Sequence, residues 1–391
     1  MSRLLLTVDE GRGSLAAVRA LRAAGHQPVV GLWRSDTYAG RSRAIAGSLH
    51  LPDPQLDPEG HGEAIRLAAE REGFAAVLPG TEPSLHALAD HPIALPPGCV
   101  LGLDSPAALA RATDKQLLHR LAREAGLNVL PQVVREGTAL LDGGVDLDFP
   151  VVVKPVRSVE GAGGGRLEVV KVRSAATPAE MRAAVAEAPE RLWLVQPLVE
   201  GTLEAVCGVA WRGEMVCAVH QESPRIWPPG QGTSSFARTT RPDREQEAAV
   251  GALLATIGWS GIFGLQFLRV DGRSYVIDLN PRVYGSMALA IAAGHNLPAI
   301  WVELLLGRRP AVNPYRVGTS YRMLEEDLRA VAREWRIGHR VEALQALIPR
   351  RRTVHPELSL RDPRPLLAPL HRRRGRLASA RATGERKRPT A

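Results

Sequence analysis

Over the first hundred residues, short apolar runs alternate with helical periodicity. Residues 4–8 form an apolar run with the length of one buried strand. Ser14 then starts a helix that sets Leu15, Val18 and Leu21 on one face, and Gly25 follows its end. Residues 28–32 predict a second strand, 63–72 a helix stopped by Gly73, 74–78 a third strand, and 84–89 another short helix. Strands separated by helices predict a small parallel sheet covered on both faces.

The rhythm changes further on. Residues 106–125 predict a helix in two pieces ending at Gly126, and from Phe149 strands dominate. Residues 151–154 read as a strand, followed by a glycine-dense loop and another strand to Val172. Thr177-Pro178-Ala179-Glu180 opens a helix with an N-cap, a proline at its first position and a glutamate three on. Residues 192–195 are a strand. Residues 204–211 and 214–220 form a hairpin around Arg212-Gly213, and 263–270 and 274–279 form a second around Asp271-Gly272. Residues 221–242, rich in Pro, Gly, Ser and Arg, read as a functional loop. Helices are expected over 243–256, 287–293 and 298–306, and there is no internal repeat.

At 391 residues, 45% hydrophobic and 23% charged, the chain has the composition of a globular protein of two or three domains. No window approaches a membrane span, and the apolar run after Met1 is cut off by Asp9 and Glu10. It reads as a strand and not a leader, so the cytoplasm is the expected compartment. Cys99, Cys207 and Cys217 make no even disulfide framework and lack zinc-site spacing. The net charge of +9 is concentrated at the end: residues 350–391 hold thirteen Lys and Arg against three acids, so residues 1–349 sum to −1. Arg350-Arg351-Arg352, Arg372-Arg373-Arg374 and Arg386-Lys387-Arg388 suit nucleic acid, a carrier protein or an anionic surface. No aromatic stacking platform lies among them, and a solvated tail is the plainer reading.

Residues 11–16 match G-x-G-x-x-A between a strand and a helix, the pattern of a dinucleotide turn. The second strand ends in Leu32-Trp33-Arg34 without a ribose-binding acid. Arg34 would favour NADP, but no hydride-transfer constellation follows, and a tight strand-to-helix turn explains the glycines as well.

The sharpest chemistry is Gly264-Leu265-Gln266-Phe267, then Asp271-Gly272, then Ile277-Asp278-Leu279-Asn280-Pro281-Arg282. Magnesium takes hard oxygen ligands. Asp278 and Asn280, two apart on one strand, project to the same side. A plain two-residue turn at Asp271-Gly272 pairs Gln266 with Ile277 and aims it the wrong way. A metal site therefore predicts an odd loop, such as Val270-Asp271-Gly272, or a bulge.

These residues resemble the ATP-grasp superfamily, and the glutamine at 266 is similar to the carbamoyl-phosphate-synthetase branch. The resemblance covers about residues 1–310. It implies ATP and Mg2+ (with Mn2+ as an alternative), with Gln266, Asp278 and Asn280 as metal ligands and Arg282 as the electrophilic clamp. The family more often has glutamate where Asp278 stands. Lys115 and Lys154 resemble its two ATP lysines, and Leu127-Asn128-Val129-Leu130-Pro131 its linker strand. The Gly161-Ala162-Gly163-Gly164-Gly165 run resembles its phosphate-covering loop, with Gly161, Gly163 and Gly164 as nucleotide contacts. Gln196, Leu198 and Val199 would form the adenine hinge and Glu204 would reach the ribose. Family hinges often start with glutamate, so Gln196-Pro197 departs from the pattern.

The implied architecture is α/β and α+β. A Rossmann-like parallel-sheet domain over 1–103 precedes a two-lobed ATP-grasp domain with antiparallel sheets over 104–310, whose flexible lobe spans about 149–205. A C-terminal extension, 311–391, is helical and then basic. The implied activity is carboxylate–amine or carboxylate–thiol ligation through an acyl phosphate, releasing ADP and phosphate. Arg225 or Arg238 are candidates to seat the acid, since a guanidinium binds carboxylates bidentately. The loop around them resembles one in uncharacterised predicted carboligases. The continuation Val283-Tyr284-Gly285-Ser286 lacks the acidic and histidine residues of biotin carboxylases. The alternatives are a non-catalytic ATP sensor and an NADP enzyme built on residues 11–16.

Overall fold

The computed structural model describes residues 1–368 other than 35, 231 and 349. The arginine clusters at 372–374 and 386–388 lie outside the described residues.

The chain begins with β1 (Arg3–Thr7), α1 (Arg12–Ala23), β2 (Gln27–Leu32), β3 (Gly47–His50), α2 (Pro58–Glu72), β4 (Ala76–Pro79), α3 (Glu82–Asp90) and β5 (Val100–Leu101). The five strands are parallel, in the order β3-β2-β1-β4-β5. The expected parallel sheet is therefore present, with β3 as an extra edge strand. Gly47-Ser48-Leu49-His50 has no apolar run to announce it, because an edge strand need bury only one side. Neighbours β1 and β4 flank the point where strand order reverses, where open α/β sheets leave a crevice at their carboxyl ends.

α4 (Pro106–Thr113) and α5 (Lys115–Glu124) are two helices, as the sequence predicts. Asp114 ends the first and caps the second, accepting from the Leu117 N–H, which puts Lys115 at the first helical position. β6 (Asn128–Val129) follows. A small lobe comprises β7 (Val133–Glu136), α6 (Gly137–Gly143), β8 (Val151–Pro155), β9 (Val159–Ala162), β10 (Arg166–Val169), β11 (Arg173–Ala175), α7 (Pro178–Val185) and β12 (Leu192–Pro197). Its sheet is β11-β8-β12-β7, and β9 and β10 form a separate hairpin.

The large lobe holds β13 (Thr202–Trp211), β14 (Glu214–Trp227), β15 (Thr233–Thr239), α8 (Arg244–Ile257), β16 (Gly261–Val270), β17 (Arg273–Asn280), α9 (Met287–Ala293) and α10 (Leu297–Leu305). After it come β18 (Ser320–Arg322), α11 (Leu324–Arg336), α12 (Arg340–Leu347) and β19 (Thr353–Val354). The eight-stranded sheet runs β19-β18-β15-β14-β13-β16-β17-β6, so strands from beyond residue 311 extend its edge.

Residues 221–242 correct the expectation of a loop. β14 continues to Trp227 and β15 returns antiparallel to it. The register shifts between Glu222 and Arg225, which carries Pro224 past the ladder without demanding an N–H from it.

Two apolar clusters cover the two sides of the large sheet and run on into the first sheet. One joins Phe263, Leu265, Phe267, Val276 and Leu279 with α4, α5, α8 and the α2–α3 side. The other joins Ala205, Cys207, Val209 and Ile262 with α1, α9 and α10. The first domain and the large lobe are thus one packed body, and the close fit is local. A Cβ on Gly13 would lie 2.3 Å from the Tyr284 carbonyl oxygen, so the second glycine of the G-x-G turn permits α1 to start against the large lobe.

Among the described residues no single helix is long and apolar enough to cross a membrane.

Candidate nucleotide and metal site

The β16–β17 hairpin turns through two residues, with Val270 opposite Arg273 and both Asp271 (φ 47°) and Gly272 (φ 77°) left-handed. The ladder then shifts: Phe267 faces Val276, but Gln266 faces Asp278. Ile277 is the extra residue of a β-bulge, the second of the two devices that parity demanded. Gly264 faces Asn280, so Gln266, Asp278 and Asn280 emerge on one side. Val276 and Leu279, three apart, both fall on the opposite, core side.

The bulge also shapes what surrounds the acid. Lys154, on β8, donates from Nζ to the carbonyl of Ile277 at 3.4 Å. Lys115 Nζ stands 3.7 Å from Asp278 Oδ1 and donates to Ser158 Oγ at 2.7 Å. Both lysines are buried. Burial is the largest influence on Lys154 and pulls its ammonium down to about 8; Asp278 acts upward and Lys115 further downward. Two lysines from different lobes thus meet at one carboxylate. The set of one carboxylate and two carboxamides offers only hard oxygen donors on the metal side, and no three His, Cys, Asp or Glu side chains gather among the described residues. Such a set fits magnesium, which is typically held by one or two carboxylates together with phosphate oxygens.

From the lysines a polar chain leads toward the hinge. His119 on α5 is fully buried, and its Nδ1 lies 2.6 Å from Gln132 Oε1, which also accepts from Gln196 Nε2 at 3.4 Å. Burial is the main influence on the His119 imidazole and pulls it down to about 4, so the ring is neutral near pH 7. Sequence reasoning missed His119 and Gln132, which carry no motif. Gln196 is buried at the end of β12, and the N–H of Leu198 is already used by the Pro150 carbonyl at 2.9 Å. Val199 follows in the same extended connection.

Gly161 is the next-to-last residue of β9, and Gly163, Gly164 and Gly165 make the turn to β10; Gly164 and Gly165 are left-handed. None of the four has an atom within 4 Å of where a Cβ would sit, so they border open space. The hairpin leans on the first domain through the Leu167 N–H to Gln55 O bond and an apolar contact with Ala87.

Three other expected residues lie elsewhere. Glu204 pairs opposite Phe267 and Glu222, on the side of the sheet turned away from Gln266. It is held by Arg269 at 3.2 Å and Ser274 at 2.7 Å. Arg225 is not available to seat an acid: it makes a bidentate pair with the fully buried Asp327 (2.7 and 3.0 Å) and lies 4.4 Å from the Phe236 ring centroid. Arg238 is tied to Glu222, also on the far side. Arg225 satisfies a carboxylate of α11 and Arg238 one of β14, and both arginines stand in the segment that the sequence reading took for a loop.

On the metal side, a cavity of about 440 Å3 brings Gln266, Asn280 and Arg282 together with the α1 turn (Asp9, Gly11, Arg12, Ser14), the Gln221–Ser286 pair, and Tyr321 and Met323. A second cleft of about 470 Å3 shares Asp9, Gly11 and Arg282 and extends over the crevice between β1 and β4, past Trp33 and Glu82. Arg282 stands 3.6 Å from Glu82 and donates to the Val283 carbonyl, poised between the two spaces.

The geometry agrees with what known proteins share. Residues 190–327 match the family model described as ATP-grasp in the biosynthetic pathway with Ter operon. The chain contains an ATP-grasp domain. The carbamoyl phosphate synthase large chain of Myxococcus xanthus is 28% identical over 262 residues, covering 62% of this chain and 23% of that protein. The Thermotoga neapolitana large chain is 30% identical over 214 residues, or 51% and 19%. The chain spans about a fifth of the length of these curated relatives. Among solved structures, N5-carboxyaminoimidazole synthetase of Staphylococcus aureus, complexed with ADP, superposes with a TM-score of 0.61 at 13% identity, covering 82% of this chain and 80% of that one. The biotin carboxylase of Campylobacter jejuni gives 0.59 at 16% identity, covering 82% and 74%. These structural likenesses show the ATP-grasp fold.

Proposed function

We propose that the chain is an ADP-forming ligase that uses ATP to activate a small carboxylate and passes the acyl group to an amine or a thiol. The observation that carries this reading is the bulge at Ile277. It spends a ladder position to bring Gln266 opposite Asp278, on the side where Asn280, Lys115 and Arg282 also converge. A hairpin needed only for packing has no use for that parity.

ATP lies in this reading between the lobes, with its phosphates between Lys115 and Lys154 and under the 161–165 turn. The bound magnesium would supply charge neutralisation at the phosphates and would be held by Asp278, Asn280 and Gln266. The acid occupies the cavity beside Arg282. Its carboxylate oxygen attacks the γ-phosphorus, the bond from that phosphorus to the β–γ bridging oxygen breaks, and ADP departs. Lys154 and Lys115 offset the charge spread over the transferring group, and Arg282 polarises the carbonyl of the acyl phosphate. The nucleophile enters through the adjoining cleft that shares Arg282, forms its bond to the carbonyl carbon, loses a proton and expels phosphate. The chain supplies no covalent nucleophile, so positioning and fixed charge carry the catalysis.

ADP release from ATP and magnesium, over a panel of amino acids and small carboxylates with amines and thiols, tests the reading beside an Asp278→Ala control. Turnover that needs one acid and one nucleophile and vanishes in the variant supports it. Tight ATP binding with no turnover from any mixture would turn the assignment to a sensor.

A further inference from the structure

Two of the three guanidinium groups of helix α1, those of Arg12 and Arg19, are held by carboxylates more than 300 residues away in the sequence. Arg12 pairs with Glu357 and, at 2.7 Å, with Glu326 of α11. Arg19 donates to Asp362 Oδ2 at 2.9 Å, to the Asp362 carbonyl at 3.0 Å and to the Pro356 carbonyl at 2.6 Å. Asp362 also accepts from Ser42 Oγ at 2.6 Å and from the Arg43 N–H at 2.9 Å. Glu357 and Asp362 are only 8% and 6% exposed, so these are built contacts and not surface pairs. On its other side the amino end of α1 is pressed against the Tyr284 carbonyl through Gly13. Arg12 and Gly13 line the cavity that holds Gln266, Asn280 and Arg282, and Tyr321 and Met323 close the same cavity. Glu357 and Asp362 lie beyond the matched family segment, which ends at residue 327.

We propose that residues 353–362 and Glu326 are a positioning strap: through Arg12 and Arg19 they fix the amino end of α1 as one wall of the acid pocket and so set which acids fit. Regarding that pocket as the acid's rests on the ligase reading above. Glu326, Glu357 and Asp362 touch no substrate; they act through the arginines. A wall clamped from both sides keeps its backbone N–H groups at a fixed distance from Arg282, and misplacing such a wall costs selectivity before it costs nucleotide binding.

The test uses the full chain with Glu357→Gln, Asp362→Asn and the exchanged pair Arg19→Asp with Asp362→Arg. In the ligand-free protein, amide hydrogen exchange at residues 11–15 is expected to quicken about tenfold in the single variants and to slow again in the exchanged pair. With the acid found in the panel, its KM should rise about tenfold or more while the Kd for magnesium-ATP stays within about twofold. Acid KM and exchange both unchanged, with only a lower melting temperature, would overturn the proposal and leave the strap purely structural. If no acid supports turnover, the ligase reading fails by itself. Exchange at residues 11–15 still decides the strap, and unaltered exchange in Asp362→Asn sinks it.

Discussion

Gln266 and Asp278 face each other across the β16–β17 ladder only because Ile277 is left out of it. The turn at Asp271-Gly272 has the tight two-residue form, which taken alone would place Gln266 opposite Ile277 and turn Asp278 and Asn280 to the core side. The bulge reverses the parity for every residue beyond it. It also presents the Ile277 carbonyl to Lys154, so one backbone irregularity orders both the proposed metal-ligand pair and the lysine proposed to bind phosphate.

Inserting one residue after Ile277 should therefore abolish function through register, whereas deleting Ile277 would leave a plain ladder that still sets Asp278 opposite Gln266. The lengthened strand either slips by one, turning Asp278 and Asn280 toward the core, or breaks pairing at the site. Turnover is expected to fall by about 10²–10³, as for loss of a preorganised electrostatic group, in the insertion and in Asp278→Ala alike. Ile277→Ala, which changes no register, should retain most activity. ADP release in the three variants measures this, and an active insertion would refute the parity argument.

Lys154 makes a separate prediction, about pH. Its folded pKa of about 8 lies below the usual 10.5, with burial as the main cause. Between those values the unfolded chain holds more protons than the folded one, so this group makes stability rise as pH increases from 8 to 10.5. Lys154→Met should flatten that rise in the ligand-free protein without weakening the fold at pH 7, since it removes a desolvated charge. It should also lower ATP affinity about tenfold or more, because one phosphate contact is lost. Denaturant titrations at several pH values and calorimetric ATP binding separate the two effects.

Arg225 and Asp327 illustrate an arginine that sequence alone cannot assign. The pair is bidentate, and Arg322 adds a second guanidinium at 2.6 Å to the same fully buried carboxylate. Asp327→Ala leaves two cations without their partner and should cost about 3–5 kcal/mol of stability. Arg225→Ala should destabilise in the same direction and leave the acid KM within about twofold for any acid that still turns over. A large, selective rise in that KM would restore Arg225 as a substrate ligand.

What the sequence made legible was local. The alternation of strand and helix over residues 1–103, the division of the 106–125 helix into two pieces, the Asp271-Gly272 hairpin and the need for an odd residue or bulge in it all follow from periods and turn chemistry read within a few residues. The side of the sheet on which Glu204 stands cannot be read locally, because it depends on the β13–β16 register, which pairs strands more than fifty residues apart and which no turn sets. The second half of β14 and all of β15 read as loop because prolines and glycines crowd residues 224–232, and the bulge that absorbs Pro224 leaves no mark in the residue pattern. His119 and Gln132 meet the lysines only through folding. The same holds for Arg12 and Glu357: nothing in either segment names the other, and only the closed sheet edge formed by β18 and β19 brings them together.

Asp362 gives the strap a pH signature of known sign. Burial pushes its carboxyl up, but hydrogen bonds from Ser42, the Arg43 N–H and Arg19, together with the Arg19 charge, win and hold it below the usual carboxylate range. Its contribution to stability is therefore complete above the ordinary Asp pKa and is lost as pH falls through the lower folded value. Wild type and Asp362→Asn should differ most near neutrality and converge as the solution is acidified. The convergence should be visible in the denaturation midpoint and in amide exchange along α1. If the two proteins keep a constant difference down to the acid limit, the Asp362 charge is not what holds the strap, and packing of residues 353–362 would have to be the clamp instead.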